Sequence, residues 1–370
     1  MTVRVAIWKS AWLPASETFV RNQIDFLTDW TALPVGMRKV TSPLSDDGDR
    51  ILFGTSRVEK CRAWWLAKTG YSRRLREFLR EGQADVLHAH FAGGGMIVRR
   101  SAKRSNVPLV VTLHGQDITA GPKAAGAAGA YYRFRLRRLF RDATILIAVS
   151  QHIADVAQGL GAEPHKVLVH HIGIPVVPKE GAAPVQRQIL AVGRLIEKKG
   201  IAHLIGAMAL LPADLHDVTL RIVGDGPLEG ELKSLAQSLG VNAEFMGFLP
   251  SASVRELMSA RPLVCIPSVV AANGDEEGLP TVAMEAAAEK CAVVASRHSG
   301  LPDVVEDELT GLLVAERDEA ALAAALTRLL RDPALAGAMG ERGHEKILAE
   351  FDMHSQTFLL ESIYERARAQ

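Results

Sequence analysis

Asp275-Glu276-Glu277-Gly278-Leu279-Pro280-Thr281-Val282-Ala283-Met284-Glu285 sets a turn, a helix start and two carboxylates in a fixed order. The run before it, Leu263-Val264-Cys265-Ile266-Pro267-Ser268, reads as a short buried strand closed by Pro and Ser. The run after it, from Val282 to Lys290, is rich in alanine and other helix formers. Pro280 fits the first helical turn, where a missing N–H costs nothing. The order is therefore strand, loop, helix, with Glu277 on the loop and Glu285 one to two turns into the helix. N–H groups from Gly278 to Thr281 would form an anion site at the helix start. One carboxylate before that site and one beyond it suit the hydroxyls, diphosphate and ribose of a sugar nucleotide. Taken alone, the stretch also reads as a solvated acidic helix start, because glutamates favour the positive end of the helix dipole.

Outward from this stretch, short apolar runs alternate with helical patterns. Strand candidates are Val3–Trp8, Val86–His88, Leu109–Leu113, Ile145–Val149 and Val167–His170, then Gln188–Val192, Leu220–Val223, Ala243–Met246, Leu263–Ile266 and Ala292–Ala295. The alternation predicts an α/β chain with two parallel, doubly wound sheets. The break between the two sets is Val176-Val177-Pro178-Lys179-Glu180-Gly181-Ala182-Ala183-Pro184. This sets an N-terminal domain over 1–178, a linker over 179–187, a second domain over 188–352, and a last helix over 353–370 expected to pack back on the first domain. Ligands of such sheets bind at the carboxyl ends of the strands, so the space between two facing domains is the expected site.

The chain has 370 residues, and its apolar content of 48% is that of a soluble globular protein. Cys61, Cys265 and Cys291 lie far apart, without metal-ligand spacing, which excludes a disulfide frame and a zinc site from the expectation. The histidines lack the carboxylate company of a metal centre, so no metal and no cofactor is expected. Val3 to Trp8 is too short for an export leader and no apolar run is long enough to cross a bilayer, which predicts a cytoplasmic protein.

Residues 1–180 carry 26 Lys and Arg against 15 Asp and Glu, whereas the remainder carries 17 against 27. The basic half includes Tyr71-Ser72-Arg73-Arg74-Leu75-Arg76 and the run from Tyr131 to Arg141, which mixes aromatic, aliphatic and cationic residues at helical spacing. Peripheral contact with an anionic membrane is one reading of that run, and a solvated helix with a core stripe is the other. No nucleic-acid motif accompanies the charge.

The polar clusters follow strands. After Gln188–Val192 come Gly193, Arg194 and Lys199; Gly193 permits a tight exit, and the two cations can converge on one anion. Each would stabilise a leaving diphosphate by ~4 kcal/mol at an effective dielectric of about 20. A loop of solvated cations is the plainer alternative. Gly224-Asp225-Gly226-Pro227 is a tight turn rather than a dinucleotide fingerprint, since Asp225 would repel a pyrophosphate. After Leu109–Leu113, His114 can reach a sugar hydroxyl beside the open Gly115 backbone. His88 and His90 end another strand near Gly93-Gly94-Gly95, whose N–H groups can face phosphate. Ser16 reads as an N-cap, with Glu17 and Thr18 beside it at the end of the first strand. No nucleophile elbow is present.

Taken together, Arg194 with Lys199, Gly224-Asp225-Gly226-Pro227, Met246-Gly247-Phe248-Leu249-Pro250, and Glu277-Gly278-Leu279-Pro280 through Glu285 resemble the retaining glycosyltransferases of family 4. The likeness covers nearly the whole chain. Asn273 to Pro280, with Ser16-Glu17-Thr18-Phe19, is similar to bacterial exopolysaccharide members of the colanic-acid type. The resemblance implies the GT-B fold, two Rossmann-like domains facing across a cleft. It further implies transfer of a sugar from a nucleotide-diphosphate donor to a saccharide or polyprenyl-linked glycan acceptor, without a metal. Arg194 and Lys199 would hold the diphosphate, Glu277 the donor-sugar hydroxyls, and the Gly278, Leu279, Pro280 and Thr281 segment the sugar and phosphate. Glu285 would accept from the ribose, and Phe248 and Leu249 would flank the base. Gly193 would border the donor, His114 the donor sugar, and Ser16, Glu17, Thr18 and His90 the acceptor side. Two departures stand out. Trp12-Leu13-Pro14-Ala15-Ser16 replaces the Gly-Gly loop of many relatives, which turns that loop toward an acceptor role. Of the usual Asn-Gly-hydrophobic-Asp segment, His171-Ile172-Gly173-Ile174 keeps only Gly173. A sugar-nucleotide epimerase and a sugar-binding protein without catalysis are the competing readings. Donor base, sugar, acceptor and linkage stay open at this stage.

Overall fold

Two sheets organise the chain, each in its own unit. The computed structural model describes residues 3–14, 17–42, 44–176 and 185–370. One unit runs to Pro175 and takes up the chain again over Met353–Gln370; the other is Val176–Asp352.

The first unit has strands β1 (Val3–Trp12), β2 (Trp30–Lys39), β3 (Arg50–Ile51), β4 (Val86–His90), β5 (Leu109–Leu113), β6 (Ile145–Ala148) and β7 (Val167–Val169). They form one parallel sheet in the order β3-β2-β1-β4-β5-β6-β7. Its helices are α1 (Thr18–Asp25), α2 (Arg57–Thr69), α3 (Arg73–Glu81), α4 (Ala92–Ser105), α5 (Gln116–Lys123), α6 (Gly126–Asp142) and α7 (Gln151–Gly159). In β4, β5 and β6 every residue is buried, as expected of parallel strands covered on both faces.

The second unit has β8 (Gln188–Val192), β9 (Thr219–Val223), β10 (Ala243–Phe245), β11 (Leu263–Ile266), β12 (Val293–Ser296) and β13 (Gly311–Val314). The parallel order is β10-β9-β8-β11-β12-β13. Its helices are α8 (Ile201–Ala209), α9 (Glu229–Ser238), α10 (Ser251–Ser259), α11 (Thr281–Ala288), α12 (Leu301–Val304), α13 (Glu319–Arg331) and α14 (Pro333–Glu350). Leu190, Ile222, Leu263 and Val294 are among its fully buried strand residues.

The last helix, α15 (Met353–Arg368), belongs to the first unit. Tyr364 Oη lies 2.7 Å from His88 Nδ1, and its ring meets Trp30 edge-on at 5.2 Å. The buried Glu361 carboxylate accepts from the backbone N–H groups of Thr28, Asp29 and Trp30 at 2.7, 2.9 and 3.2 Å. Three N–H donors on one carboxylate give it the partners that burial of a charge requires.

Each strand expected from the apolar runs is present, with ends shifted by a few residues; β1 runs on to Trp12. The apolar pattern missed β2, β3 and β13. Pro34 and Gly36 punctuate β2, and proline ordinarily argues against a sheet interior, yet Pro34 pairs in register with Ile7 of β1. Helix α1 starts at Thr18 with Glu17 in the N-cap position, and Ser16 lies outside the described residues. Most of the linker expected over 179–187 also lies outside them.

Candidate functional site

Strand order reverses direction between β1 and β4 in the first sheet and between β8 and β11 in the second. Crevices at the carboxyl ends of such switch points are where doubly wound sheets bind ligands. Both candidate clusters lie at these points.

In the second unit the chain leaves β8 through Gly193 and Arg194, then makes a short turn over Glu197–Lys199. Gly200 closes that turn with φ +65°, and a Cβ there would stand 1.8 Å from the Pro267 carbonyl oxygen. Only glycine lets the β8 exit press on the β11 exit. Gly224 allows a similar approach after β9, since its Cβ would meet the Gly193 carbonyl oxygen at 2.0 Å.

This packing delivers Lys199 to the acidic loop. Its Nζ lies 2.9 Å from Glu277 Oε1, while Lys198 Nζ lies 3.1 Å from Asp275 Oδ1. Glu277 is 8% exposed. The ammonium and the carboxylate are within contact distance, so charge holds the pair together. Burial alone would raise the Glu277 pKa, but the charges of Lys199 and Lys198 outweigh it and hold the carboxyl below its usual range.

The loop is fixed from behind. The Glu277 N–H donates to His298 Nε2 at 3.3 Å, and His298 Nδ1 lies 2.6 Å from Glu316 Oε1. A backbone N–H can only donate, so Nε2 accepts and the ring proton sits on Nδ1, facing Glu316. Glu316 Oε2 also accepts from the Val270 N–H at 2.9 Å. Ser299 Oγ donates to the Glu277 carbonyl at 2.5 Å. Rotation of the loop about Glu277 would break its bonds to His298 and Ser299 together.

Pro280 is the N-cap of α11, one position earlier than expected, and no side chain caps the helix. Gly278, Leu279 and Pro280 are buried, and Thr281 is half-buried. Glu285 stands one turn into α11 with its side chain exposed, yet the surrounding protein raises its pKa against the pull of Thr281, Arg255 and Lys199. Arg194 is exposed, and its side chain makes no hydrogen bond or ion pair with a described residue. Lys199 pairs with Glu277, whereas Arg194 has no side-chain partner among the described residues. Phe248 is 69% exposed on the loop after β10, with Leu249 half-buried beside it.

In the first unit, Lys9 of β1 and Glu17 pair at 2.7 Å, and Lys9 Nζ lies 3.9 Å from the Phe91 ring centroid. Burial pushes the Lys9 pKa down and the Glu17 pKa up, and Glu17 Oε2 has no hydrogen-bond partner among the described residues. Thr18 is half-buried beside it. The buried His90 Nδ1 lies 3.1 Å from His114 Nε2, and His90 Nε2 has no partner among the described residues. Burial holds both imidazoles well below the ordinary histidine pKa. Asp117 braces the pair, accepting from the N–H groups of His114 and Ala92 at 3.1 and 2.5 Å. Lys9, His90, Phe91, Gly93, Tyr131 and Arg135 help to line an adjoining recess of about 450 Å³. His88 is spent on structure, with Tyr364 on one ring nitrogen and Thr112 on the other, each at 2.7 Å.

Residues 177–346 match the family model described as glycosyl transferases group 1, and residues 24–173 match a glycosyl transferase 4-like domain. The amylovoran biosynthesis glycosyltransferase AmsK of Erwinia amylovora is 30% identical, over 76% of this chain and 70% of AmsK. WcaL of Escherichia coli, named for colanic acid biosynthesis, is 32% identical over 73% of this chain and 68% of its own. The chain belongs to the group 1, family 4-like glycosyltransferases. The crystal structure of Anabaena HepE in complex with UDP-glucose superposes with a TM-score of 0.78 at 18% identity, covering 98% of this chain and 99% of HepE. The fold of this glycosyltransferase is accordingly GT-B. It is a nucleotide-sugar enzyme of that family, with relatives named for polysaccharide biosynthesis.

Sequence reasoning named Lys199, Glu277, His114, His90 and Glu17, which the fold draws into two clusters. It missed Lys198, Asp275, His298 and Glu316 behind the acidic loop, and Lys9, Phe91 and Asp117 in the first unit. A signal existed for His298, which follows a buried strand just as the other polar clusters do. Lys9 was visible as a cation directly after the apolar run Val5–Trp8 of β1.

Proposed function

We propose that this glycosyltransferase moves a sugar, with retention, from a nucleoside diphosphate to a saccharide acceptor carried on a lipid, in cell-surface polysaccharide synthesis at the cytoplasmic membrane face. The observation that carries the reading is the Lys199–Glu277 pair, at 2.9 Å, which sets a mostly buried carboxylate beside a cation. A carboxylate accepts more than one hydrogen bond, so a sugar hydroxyl can join the ammonium on it. Lys199 and the unpartnered Arg194 hold the diphosphate, joined by first-turn N–H groups of α11 that no side chain caps. Glu285 accepts from the ribose hydroxyls, and the exposed Phe248 ring, with Leu249, flanks the base.

In the reaction the bond from the anomeric carbon to the phosphate oxygen breaks, and its electron pair stays on the diphosphate. The acceptor oxygen bonds the same face of that carbon, and its proton passes to the departing phosphate oxygen. Lys199 and Arg194 act because charge grows on the leaving group as the bond breaks. The acceptor sugar is assigned to the first unit, with Glu17, Thr18, His90 and His114 offering hydrogen-bonding groups; Ser16 belongs to the same segment.

UDP is the first candidate donor nucleotide, since HepE was solved with UDP-glucose. Calorimetry with UDP, GDP and dTDP in EDTA, on the wild type and Glu285→Ala, tests the reading. Tight binding of one nucleotide without metal, weakened in the variant, supports it. No binding to any of the three would remove the donor assignment.

A further inference from the structure

Helix α2 displays Trp64 and Trp65, each 59% exposed, with Val58 and Cys61 also exposed on its surface. Helix α6 displays Tyr131 and Phe134, while Leu136, Leu139 and Phe140 of the same run are buried. The aromatic run is thus divided between a core stripe and an outward one. Soluble proteins scatter large exposed apolar groups singly; a cluster of this kind marks a surface that meets something. The two helices are neighbours, because Arg135 Nη2 of α6 donates to the Ala67 carbonyl of α2 at 3.0 Å. Beside α2 opens a groove of about 720 Å³, walled by Phe53, Val58, Cys61, Trp65 and Tyr71 and edged by Arg62 and Arg73.

Charge on these helices has one sign. α2 carries four Lys and Arg against one acid, α6 five against one, and α4, which packs between them, four against none. Cations ride over the exposed rings: Lys68 Nζ is 5.9 Å from the Trp64 centroid, and the Arg138 guanidinium 4.9 Å from that of Phe134. Indole and phenol rings with cationic heads beside them suit the boundary between hydrocarbon and water.

We propose that the α2–α6 face docks on an anionic phospholipid bilayer, with Trp64 and Trp65 at headgroup depth and the flanking Lys and Arg on lipid phosphates. No described helix is long and apolar enough to cross a membrane, so the attachment is to the surface. A second copy of this chain is a poor occupant, since two such basic faces repel each other. Nucleic acid is a poorer one as well, because it would meet the cations but leave Val58, Cys61 and the apolar walls of the groove in water, whereas a bilayer covers them. The proposal takes from the preceding reading only a membrane-borne acceptor, and it is measured separately.

The test is flotation of the full chain with vesicles of equimolar phosphatidylglycerol and phosphatidylethanolamine, against vesicles of phosphatidylcholine alone. The expected result is binding to the anionic vesicles only, weakened by salt, with a blue shift of tryptophan emission. The W64A/W65A double variant should lower partitioning roughly ten-fold or more. Arg137→Gln and Arg138→Gln should each lower it about five-fold, and Arg137→Glu and Arg138→Glu should lower it further. UDP binding, read on the same preparations, should stay unchanged in W64A/W65A, which separates failure of docking from failure of the donor assignment. Equal binding to both vesicle types, or none to either, would overturn the proposal. So would tight single-stranded DNA binding, or a W64A/W65A-sensitive dimer, without vesicle binding.

Discussion

Lys199 Nζ stands 2.9 Å from Glu277 Oε1, across two loops joined only because Gly200 lets the backbone pass the Pro267 carbonyl. The cation that would neutralise a leaving phosphate and the carboxylate that would hold the sugar are thus one preassembled unit. Lys199→Met should lower kcat/KM about 10²–10³-fold, by removing charge stabilisation of the departing diphosphate. It should also cost about 1–3 kcal/mol of stability, because Glu277 is left mostly buried without its cation. Denaturant titration beside steady-state kinetics checks both numbers.

Acid should act on the same pair. The folded Glu277 pKa lies below its ordinary 4.5, so its contribution to stability is full above that value and is lost as pH falls through the lowered one. Thermal melts of wild type and Glu277→Gln should therefore differ at neutral pH and converge in strong acid. A constant gap down to the acid limit would contradict the assigned ion pair.

Glu285 carries the opposite sign. Its raised pKa means that ionisation works against the fold as pH rises from the unfolded value of about 4.5 through the raised one. Glu285→Gln should melt higher than wild type at neutral pH, with the advantage gone in acid. The same change should weaken nucleotide binding by about ten-fold, since a carboxylate that accepts charge-assisted hydrogen bonds is lost. A variant that binds nucleotide as well as wild type would remove Glu285 from the ribose.

His298 accepts from the Glu277 N–H, so under the proposed donor site it would act as a positioning residue. His298→Ala should leave the loop free to turn and lower kcat about 10-fold or more. Glu316→Gln, which keeps an acceptor for Nδ1, should do much less. Equal damage from both, confined to stability with kcat unchanged, would mean that the loop is held in place without them.

The fold was legible where the physics is local. Fully covered parallel strands read as apolar runs, so β4, β5, β6, β11 and β12 stood out. β2 did not, because Pro34 and Gly36 interrupt it and only pairing with β1 makes it a strand. At the site, Glu277 and Lys199 carry recognisable local patterns, but their pairing depends on a contact between chain segments far apart. His298 follows β12 and Glu316 follows β13, positions that flag a polar residue at a strand end, but nothing local in the sequence ties either one to the Glu277 loop. Lys9 lies within β1 and Glu17 beyond its end, so no helix or strand period brings them together in sequence, and their 2.7 Å pairing is seen only in the fold.

The most direct test of the donor site is a crystal structure of the enzyme with UDP. The diphosphate should lie within hydrogen-bond reach of Lys199 and Arg194, with the ribose on Glu285 and the base against Phe248. Nucleotide bound away from Lys199 and Glu285, with that pair left as it stands, would contradict the account.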